Sequence, residues 1–345
     1  MSLAKTIRPF FATVIAGVEI DNKLCAVTLK YYKRGKVFKT QTKEFKTILG
    51  ELPAQATRFL KATRNRHPFT YITTLSNTMI QGAINTDRDS EFEKYGIKKD
   101  DIVRIGFDNQ WSAYVSRVGI AETREKMLRV GVDFIISPFV ILYHLAKATF
   151  QDSCKLYVLF QRSNITMIVT KLNEGVLFGS YYVLESEIDS KLKLAENSLS
   201  EDIDDIDELG VTDDIQKELS DIEKVDLDNQ EDDDKLIEAL KEDSTEESQE
   251  NMQEKKDNLD DFSRVNMATK YIQSALNEFY SNAIYKSEFI NEIVLFNPHD
   301  IPEETLQYIQ ETTLLEVKVM PCSVTEELAI LGFESYKFFE SKGKV

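Results

Sequence analysis

The sequence predicts a mixed α/β protein built from two related lobes, and two observations support this fold class. A triplet of consecutive strands occurs near the start of the chain and again in its middle. After each triplet, helical patterns alternate with single strands, which is typical of mixed sheets flanked by helices. The predicted strands cover residues 13–21, 23–33 and 36–45, and then residues 155–160, 164–172 and 175–184.

The first triplet begins a lobe that we expect to cover residues 1–150. A helix over residues 51–63 should follow the triplet, because apolar residues recur there at helical spacing. Residues 77 to about 120 are predicted to form a small inserted subdomain that contains a strand pair. We expect the lobe to close with a helix that has Ser137 as its N-cap, since Pro138 suits the first helical position.

The second triplet begins a lobe that we expect to cover residues 151–345. An insertion over residues 186–262 interrupts this lobe. A helix is predicted from Ala268 onward, where apolar residues recur on one helical face. A buried strand over residues 292–296, a further helix and strand, and a short final helix over residues 326–331 complete the lobe.

The charge of the chain is distributed unevenly. The formal net charge is −17, but residues 196–261 contain 28 acidic and 6 basic residues, so the rest of the chain carries a net charge of +5. The acidic stretch has only isolated aliphatic residues, too little apolar surface to offset the entropic cost of ordering it. We therefore expect a long, acidic, disordered insertion that contributes little to stability.

Basic residues concentrate in the first lobe and include Lys33, Arg34, Lys36 and Lys39. Three interpretations of this patch remain open. It is a solvated outer strand face, or a surface for the phosphates of nucleic acid or lipid, with aromatic side chains interleaved. In the third interpretation, the acidic insertion covers the patch until a partner displaces it.

Several classes of protein and site are excluded by composition and spacing. No run of about 18 apolar residues indicates a membrane span, and no secretory signal is visible. The three cysteines are scattered, which favours a reduced, cytoplasmic chain. The three histidines lack the spacing of a zinc site, so we expect no metal. The sequence also has no Walker loop, and we expect no cofactor. Ser137, His144 and Asp133 are interpreted as a helix cap, a helix face and a strand charge, not as a catalytic triad.

The order of the elements resembles that of the actin-like ATPase superfamily, whose lobes are ribonuclease H-like repeats. The end of the chain carries the most specific part of this resemblance. It consists of a long amphipathic helix, the strand over residues 293–296, a helix, a strand and then residues 329–332 with the sequence Ala-Ile-Leu-Gly. The segment over residues 122–145 adds to the resemblance. These features look like the PilM family of type IV pilus assembly and the GspL family of type II secretion.

The two hairpins that would hold phosphates in this superfamily are altered. The resemblance implies Asp-x-Gly in the first hairpin, where Glu19 is followed by Asp21 in the place of the glycine. The second hairpin should read Asp-x-Gly-x-x-x-Thr. Counting back from Thr166 puts Phe160 at the aspartate and Arg162 at the glycine.

The loop that would hold adenosine is altered as well. It should contain two glycines, but this chain has Asn297 and Pro298 there, and proline lacks a backbone amide. The resemblance therefore implies a vestigial nucleotide site without catalytic residues. The candidate vestigial positions are Glu19, Asp21, Arg162, Thr166, Asn297 and Pro298.

The resemblance implies a non-catalytic cytoplasmic scaffold, a pseudo-ATPase. Its partner would be the cytoplasmic peptide tail of an inner-membrane protein of a pilus or secretion platform, with a secretion ATPase as a further partner. The chain would thus be peripheral to the inner membrane and touch it only through partners. Two alternatives stay open: a divergent ATP-binding actin-like ATPase, and a nucleic-acid-binding protein that uses the basic first lobe.

Overall fold

The computed structural model describes residues 11–47, 50–184, 246–298 and 303–342, with the backbone alone for residues 246–262 and Glu304. The described residues up to Leu184 and from Met267 onward form one compact unit. The elements of the first half are β1 (Thr13–Ile20), β2 (Leu24–Lys33), β3 (Lys36–Lys46), α1 (Ala54–Arg66), β4 (Thr70–Leu75), β5 (Gln81–Ile84), β6 (Ile102–Phe107), β7 (Trp111–Ser116), α2 (Arg117–Lys126), β8 (Phe134–Ile136) and α3 (Pro138–Ala146). The elements of the second half are β9 (Cys154–Phe160), β10 (Asn164–Lys171), β11 (Gly175–Val183), α4 (Glu246–Ser281), β12 (Ile290–Asn297), α5 (Glu303–Thr313), β13 (Glu316–Pro321) and α6 (Val324–Ser341).

Two five-stranded sheets repeat one topology. The first sheet has the order β3-β2-β1-β4-β8 and the second has the order β11-β10-β9-β12-β13. In each sheet the members of the triplet are antiparallel neighbours, and the two later strands join in parallel. The two predicted triplets are therefore the repeated unit, and the predicted α/β class of two lobes with mixed sheets is confirmed.

Alternating apolar residues place the core of the first lobe. Val14, Ala16 and Val18 of β1 point to one side of the sheet and are fully buried. They pack in one cluster with Leu60 of α1 and Ile72 of β4. A strand whose alternate residues are all apolar buries that face against a helix, because the hydrophobic effect scales with the apolar area removed from water.

The helix that we expected to close the first lobe packs on the second sheet instead. It begins as predicted, with the hydroxyl of Ser137 accepting a hydrogen bond from the Phe139 amide at 3.4 Å. Its residues Ile141 and Leu142 are buried in a cluster with Leu159 of β9 and other residues of the second sheet. Because α3 is apolar around most of its circumference, burial on several sides suits it better than a solvent-exposed outer position.

The final helix, α6, belongs to the second lobe by sequence but packs on the first sheet. It extends over Val324–Ser341, well beyond the residues 326–331 that the sequence predicted, and it packs on β1, β2 and β4 of the first sheet. The hydroxyls of Thr28 and Thr325 lie 2.7 Å apart, and Lys30 Nζ lies 3.1 Å from Glu326 Oε2. Each lobe therefore contributes a helix to the core of the other.

A third sheet lies where the inserted subdomain was predicted. Its three strands have the order β5-β7-β6. Trp111 at the start of β7 is fully buried, with its ring centroid 4.4 Å from that of Phe107 and 4.7 Å from that of Tyr143 on α3. The tryptophan therefore joins this sheet to the helix that crosses between the lobes.

The predicted insertion over residues 186–262 lies for the most part outside the described residues. Its last part, from Glu246, has a helical backbone that continues into the amphipathic segment of α4. From Met267 onward this helix buries Ala268, Ile272, Ala275 and Phe279. Within the described ranges, no helix has both the length and the apolar character that a membrane span requires.

We predict that Gly17→Ala destabilises the protein by about 2–3 kcal/mol, because overpacking a close backbone contact forces elements apart. A Cβ atom at Gly17 would lie 2.0 Å from the carbonyl oxygen of Thr325, so α6 would have to move away from β1. Urea unfolding measures the change. Gly106→Ala on β6 is the matched control, since its Cβ would make ordinary contacts at 3.5 Å and should change stability by less than about 0.5 kcal/mol. Equal effects of the two substitutions would contradict the tight packing of α6.

Candidate functional site

The turns that follow β1 and β9 meet between the two lobes, and we call this region the cleft centre. Each turn is a tight two-residue hairpin connection. The Asp21 amide donates to the Leu24 carbonyl at 2.9 Å, and the Gln161 amide donates to the Asn164 carbonyl at 3.0 Å. Equivalent positions in the two repeats thus face each other, as the resemblance implied.

The carboxylate of Asp21 occupies the amides of its own turn. Its Oδ1 atom accepts hydrogen bonds from the backbone amides of Lys23 at 2.7 Å and Leu24 at 2.6 Å. Successive amides of a turn form a concave site that favours an anion. Here the anion is a side chain of the same hairpin, so these amides are already satisfied.

Two contacts cross the cleft centre from one lobe to the other. Gln161 Nε2 donates a hydrogen bond to Glu19 Oε1 at 2.6 Å. Arg162 Nε lies 3.9 Å from Asp21 Oδ2, and the Asp21 side chain is only 11% exposed. Polar side chains therefore fill the region between the hairpins, where a ligand would otherwise contact both lobes.

Burial changes the ionisation of Glu19. Loss of hydration raises the pKa of this carboxyl to about 7, with a smaller upward contribution from Asp21. The hydrogen bond from Gln161 and the charge of Arg162 oppose this rise. Since Mg²⁺ binds ionised oxygen ligands, a magnesium ion at Glu19 would have to displace this proton at and below neutral pH.

The other predicted positions lie around the cleft centre without building a site. Thr166 is fully buried on β10, and its hydroxyl has no hydrogen-bond partner among the residues that the structure describes. Asn297 ends β12, and its carbonyl accepts a hydrogen bond from the Cys322 amide at 3.2 Å, which ties this turn to the start of α6. Pro298 follows in a bend and has no amide to offer.

The basic patch does not lie at the cleft centre. Lys33 ends β2, Arg34 and Gly35 form the turn with positive φ angles of 52° and 77°, and Lys36 begins β3. Because β2 runs antiparallel to β1, this turn is at the opposite end of the first sheet from the cleft centre. The patch and the vestigial positions are thus two separate features.

Gln161 is the residue at the cleft centre that the sequence did not reveal. It lies between Phe160 and Arg162, the two positions that we aligned with the aspartate and glycine of the superfamily. No local pattern distinguishes it, because its partner Glu19 is 142 positions away. Only the register of β9 beside β10, which fixes where the second hairpin turns, could have indicated it.

The three residues that resemble a catalytic triad in sequence have separate contacts. Ser137 caps α3, Asp133 Oδ2 accepts a hydrogen bond from Arg64 Nη2 at 2.8 Å, and His144 Nδ1 lies 2.7 Å from Glu327 Oε2. The hydrogen bond with Glu327 raises the pKa of His144. Over the residues described here, no group of His, Cys, Asp and Glu side chains is arranged to hold a metal ion.

The raised pKa of Glu19 gives stability a predictable pH dependence. Its folded pKa of about 7 lies above its ordinary value of 4.5, so the folded protein retains a proton that the unfolded chain loses between these values. The free energy of unfolding should therefore fall as pH rises from about 5 to about 8. Glu19→Gln cannot ionise and should reduce this fall by about 2 kcal/mol in urea unfolding.

Glu44→Gln is the control for that experiment, because it removes the same charge from an exposed position on β3. It should leave the pH dependence of stability as it is in the unaltered protein. An unchanged slope in Glu19→Gln would show that Glu19 is not the group that titrates.

Several solved structures are similar to this chain at low sequence identity. A Bacteroides thetaiotaomicron protein with an actin-like ATPase fold and unknown function is 9% identical, covers 96% of this chain and 99% of its own, and has a TM-score of 0.45. The PilM-PilN type IV pilus biogenesis complex is 12% identical, with 91% and 89% covered and a TM-score of 0.47. The ethanolamine utilization protein EutJ from Carboxydothermus hydrogenoformans is 11% identical, with 92% and 88% covered and a TM-score of 0.41.

Two families match the chain, and no curated protein matches it. Residues 10–143 match the family described as domain of unknown function DUF8569. Residues 156–337, more than half of the chain, match the family described as domain of unknown function DUF8341. The chain therefore belongs to the DUF8341 family.

Proposed function

We propose that this protein is a non-catalytic adaptor that binds a peptide segment of a membrane partner and does not turn over ATP. The observation that carries the proposal is the carboxylate of Asp21, which is bonded to the amides of Lys23 and Leu24. A triphosphate at the first hairpin would have to displace this carboxylate, and its negative charge would be repelled by it.

The second hairpin supports the same proposal. Arg162 replaces the glycine that would let a phosphate approach the backbone, and its side chain points toward Asp21 of the other lobe. Glu19, the remaining candidate for a magnesium ligand, has its Oε1 atom bonded to Gln161. Glu19 and Asp21 of the first hairpin are therefore in contact with Gln161 and Arg162 of the second.

The space beside the cleft centre also suits a peptide better than a nucleotide. An open depression with a volume of ≈ 50 Å³ lies at the carboxyl ends of β1 and β4, and Ile20, Leu75, Thr78, Gly119 and Met127 contribute to its lining. Pockets for drug-sized ligands are usually several hundred Å³. A single side chain of a bound segment would fit such a depression.

We propose that the partner is the cytoplasmic tail of an inner-membrane protein in a type IV pilus or type II secretion-like platform. A secretion ATPase is a further candidate partner. The resemblance in element order to the PilM and GspL families suggests this setting. In it, the chain is cytoplasmic and reaches the membrane through its partner.

The absence of nucleotide binding is testable by calorimetry. We predict that the full chain, titrated with Mg-ATP to about 1 mM, gives no heat of binding, because the turn amides are already occupied. Cooperative thermal unfolding of the same sample is the control that the protein is folded. Binding with a dissociation constant in the micromolar range would defeat the proposal and favour the divergent ATPase.

The proposed partner is testable by cross-linking in cells of the native organism. We predict that the tagged chain is cross-linked to an inner-membrane protein of a pilus or secretion platform, identified by mass spectrometry. A synthetic peptide of that protein's cytoplasmic tail should then bind the purified chain by itself. A tail peptide that does not bind, or cross-links confined to soluble proteins, would contradict the proposed role.

A further inference from the structure

The outer edge of β3 is a long strand edge that no strand among the described residues pairs with. β3 is the terminal strand of the first sheet and pairs with β2 along its 11 residues. No other strand of the described chain pairs with its outer side, and no residue of β3 is buried. Such an edge presents a row of backbone donors and acceptors to which another extended segment can bond.

The edge carries an excess of positive charge. Lys36, Lys39, Lys43 and Lys46 lie on β3, and Glu44 is its one acidic residue. None of these four lysines forms an ion pair with a residue that the structure describes. Long unpaired ammonium groups beside a strand edge favour a partner that carries carboxylates.

Two of these lysines contact aromatic rings on the face of the sheet that α1 covers. Lys39 Nζ lies 5.1 Å from the ring centroid of Tyr31, and Lys43 Nζ lies 4.8 Å from that of Phe59 on α1. Cation–π contacts of this length restrict where the ammonium groups lie. Since residues two and four apart on a strand share a face, Lys39 and Lys43 project to the same side of the sheet.

The start of β3 adds an apolar contact next to the charges. Tyr31 pairs with Lys39 and Tyr32 pairs with Val37, so Phe38 is the extra residue of a bulge. Phe38 is 59% exposed and Val37 is 46% exposed. Beyond the bulge the pairing is regular from Lys39 to Lys46, which is long enough for a complete added strand.

We infer that the outer edge of β3 docks an acidic, extended segment of a partner protein, which binds as an added strand with its carboxylates over Lys39 and Lys43. The inference rests on the proposed function only in that it assigns a surface and a chemistry to a peptide partner. The lysines also repel a second copy of the same edge, which disfavours edge-to-edge pairing of two copies of this chain. Nucleic acid and anionic lipid would use the charge but not the backbone edge.

Fluorescence anisotropy with the full chain tests the inference. The probe is a labelled peptide of about ten residues that alternates glutamate and threonine, so that every carboxylate lies on one face of the strand. A second probe has the same sequence with alternate backbone nitrogens methylated, which keeps the charge and removes strand donors. A third has lysine in place of glutamate. We expect the first probe to bind and the other two to bind at least about tenfold more weakly.

The double variant Lys39→Glu with Lys43→Glu should bind the first probe at least about tenfold more weakly than the unaltered protein does. Lys98→Glu with Lys99→Glu makes the same charge change at exposed positions of the inserted subdomain and should leave binding unchanged. Absent binding, equal binding of the methylated probe, or no effect of the β3 variant would each overturn the inference. Equal competition by an oligothymidylate or by vesicles of phosphatidylserine would overturn it in favour of phosphate recognition.

These outcomes are separate from the test of the proposed function. If neither the acidic probe nor Mg-ATP binds, the proposal of a non-catalytic adaptor is retained and only the inference about the β3 edge is wrong. If Mg-ATP binds, the adaptor proposal fails, whatever the acidic probe does.

Discussion

The hydrogen bonds from the Lys23 and Leu24 amides to the carboxylate of Asp21 determine what the cleft centre can do. In a fold whose hairpins can present amides to an anion, the chain supplies that anion itself. The same carboxylate lies near Arg162 of the opposite hairpin, and the neighbouring Glu19 is bonded to Gln161. The single side chain of Asp21 therefore satisfies two amides of its own hairpin and lies near an arginine of the other hairpin.

The exchange of helices between the lobes keeps these hairpins opposite each other. α3 leaves the first sheet and is buried against the second, while α6 returns from the second and packs on the first. The contact is closest at Gly17, where α6 approaches the backbone of β1, two residues before Glu19. Because packed cores resist deformation, a helix fixed at this point limits how far the hairpins can separate.

The sequence predicted the parts of the structure that depend on local patterns. Alternation in residues 13–45 and 155–184 marked both triplets, and Ser137 with Pro138 marked the start of α3. It did not predict which sheet α3 and α6 cover, because that choice depends on long-range packing of helices with apolar residues on more than one side. It placed Glu19, Asp21 and Arg162 at the cleft but not their contacts, which join residues more than 140 positions apart.

The first lobe therefore has two different regions. At the cleft centre its polar side chains contact those of the second lobe, whereas no described strand pairs with the outer edge of β3. The most direct test of the central claim is a crystal structure of the protein grown with magnesium and a non-hydrolysable ATP analogue. We predict a cleft centre without nucleotide, in which Asp21 Oδ1 still accepts from the amides of Lys23 and Leu24. An analogue seated between the two hairpins, with Asp21 turned away from those amides or bound to the metal, would contradict the account.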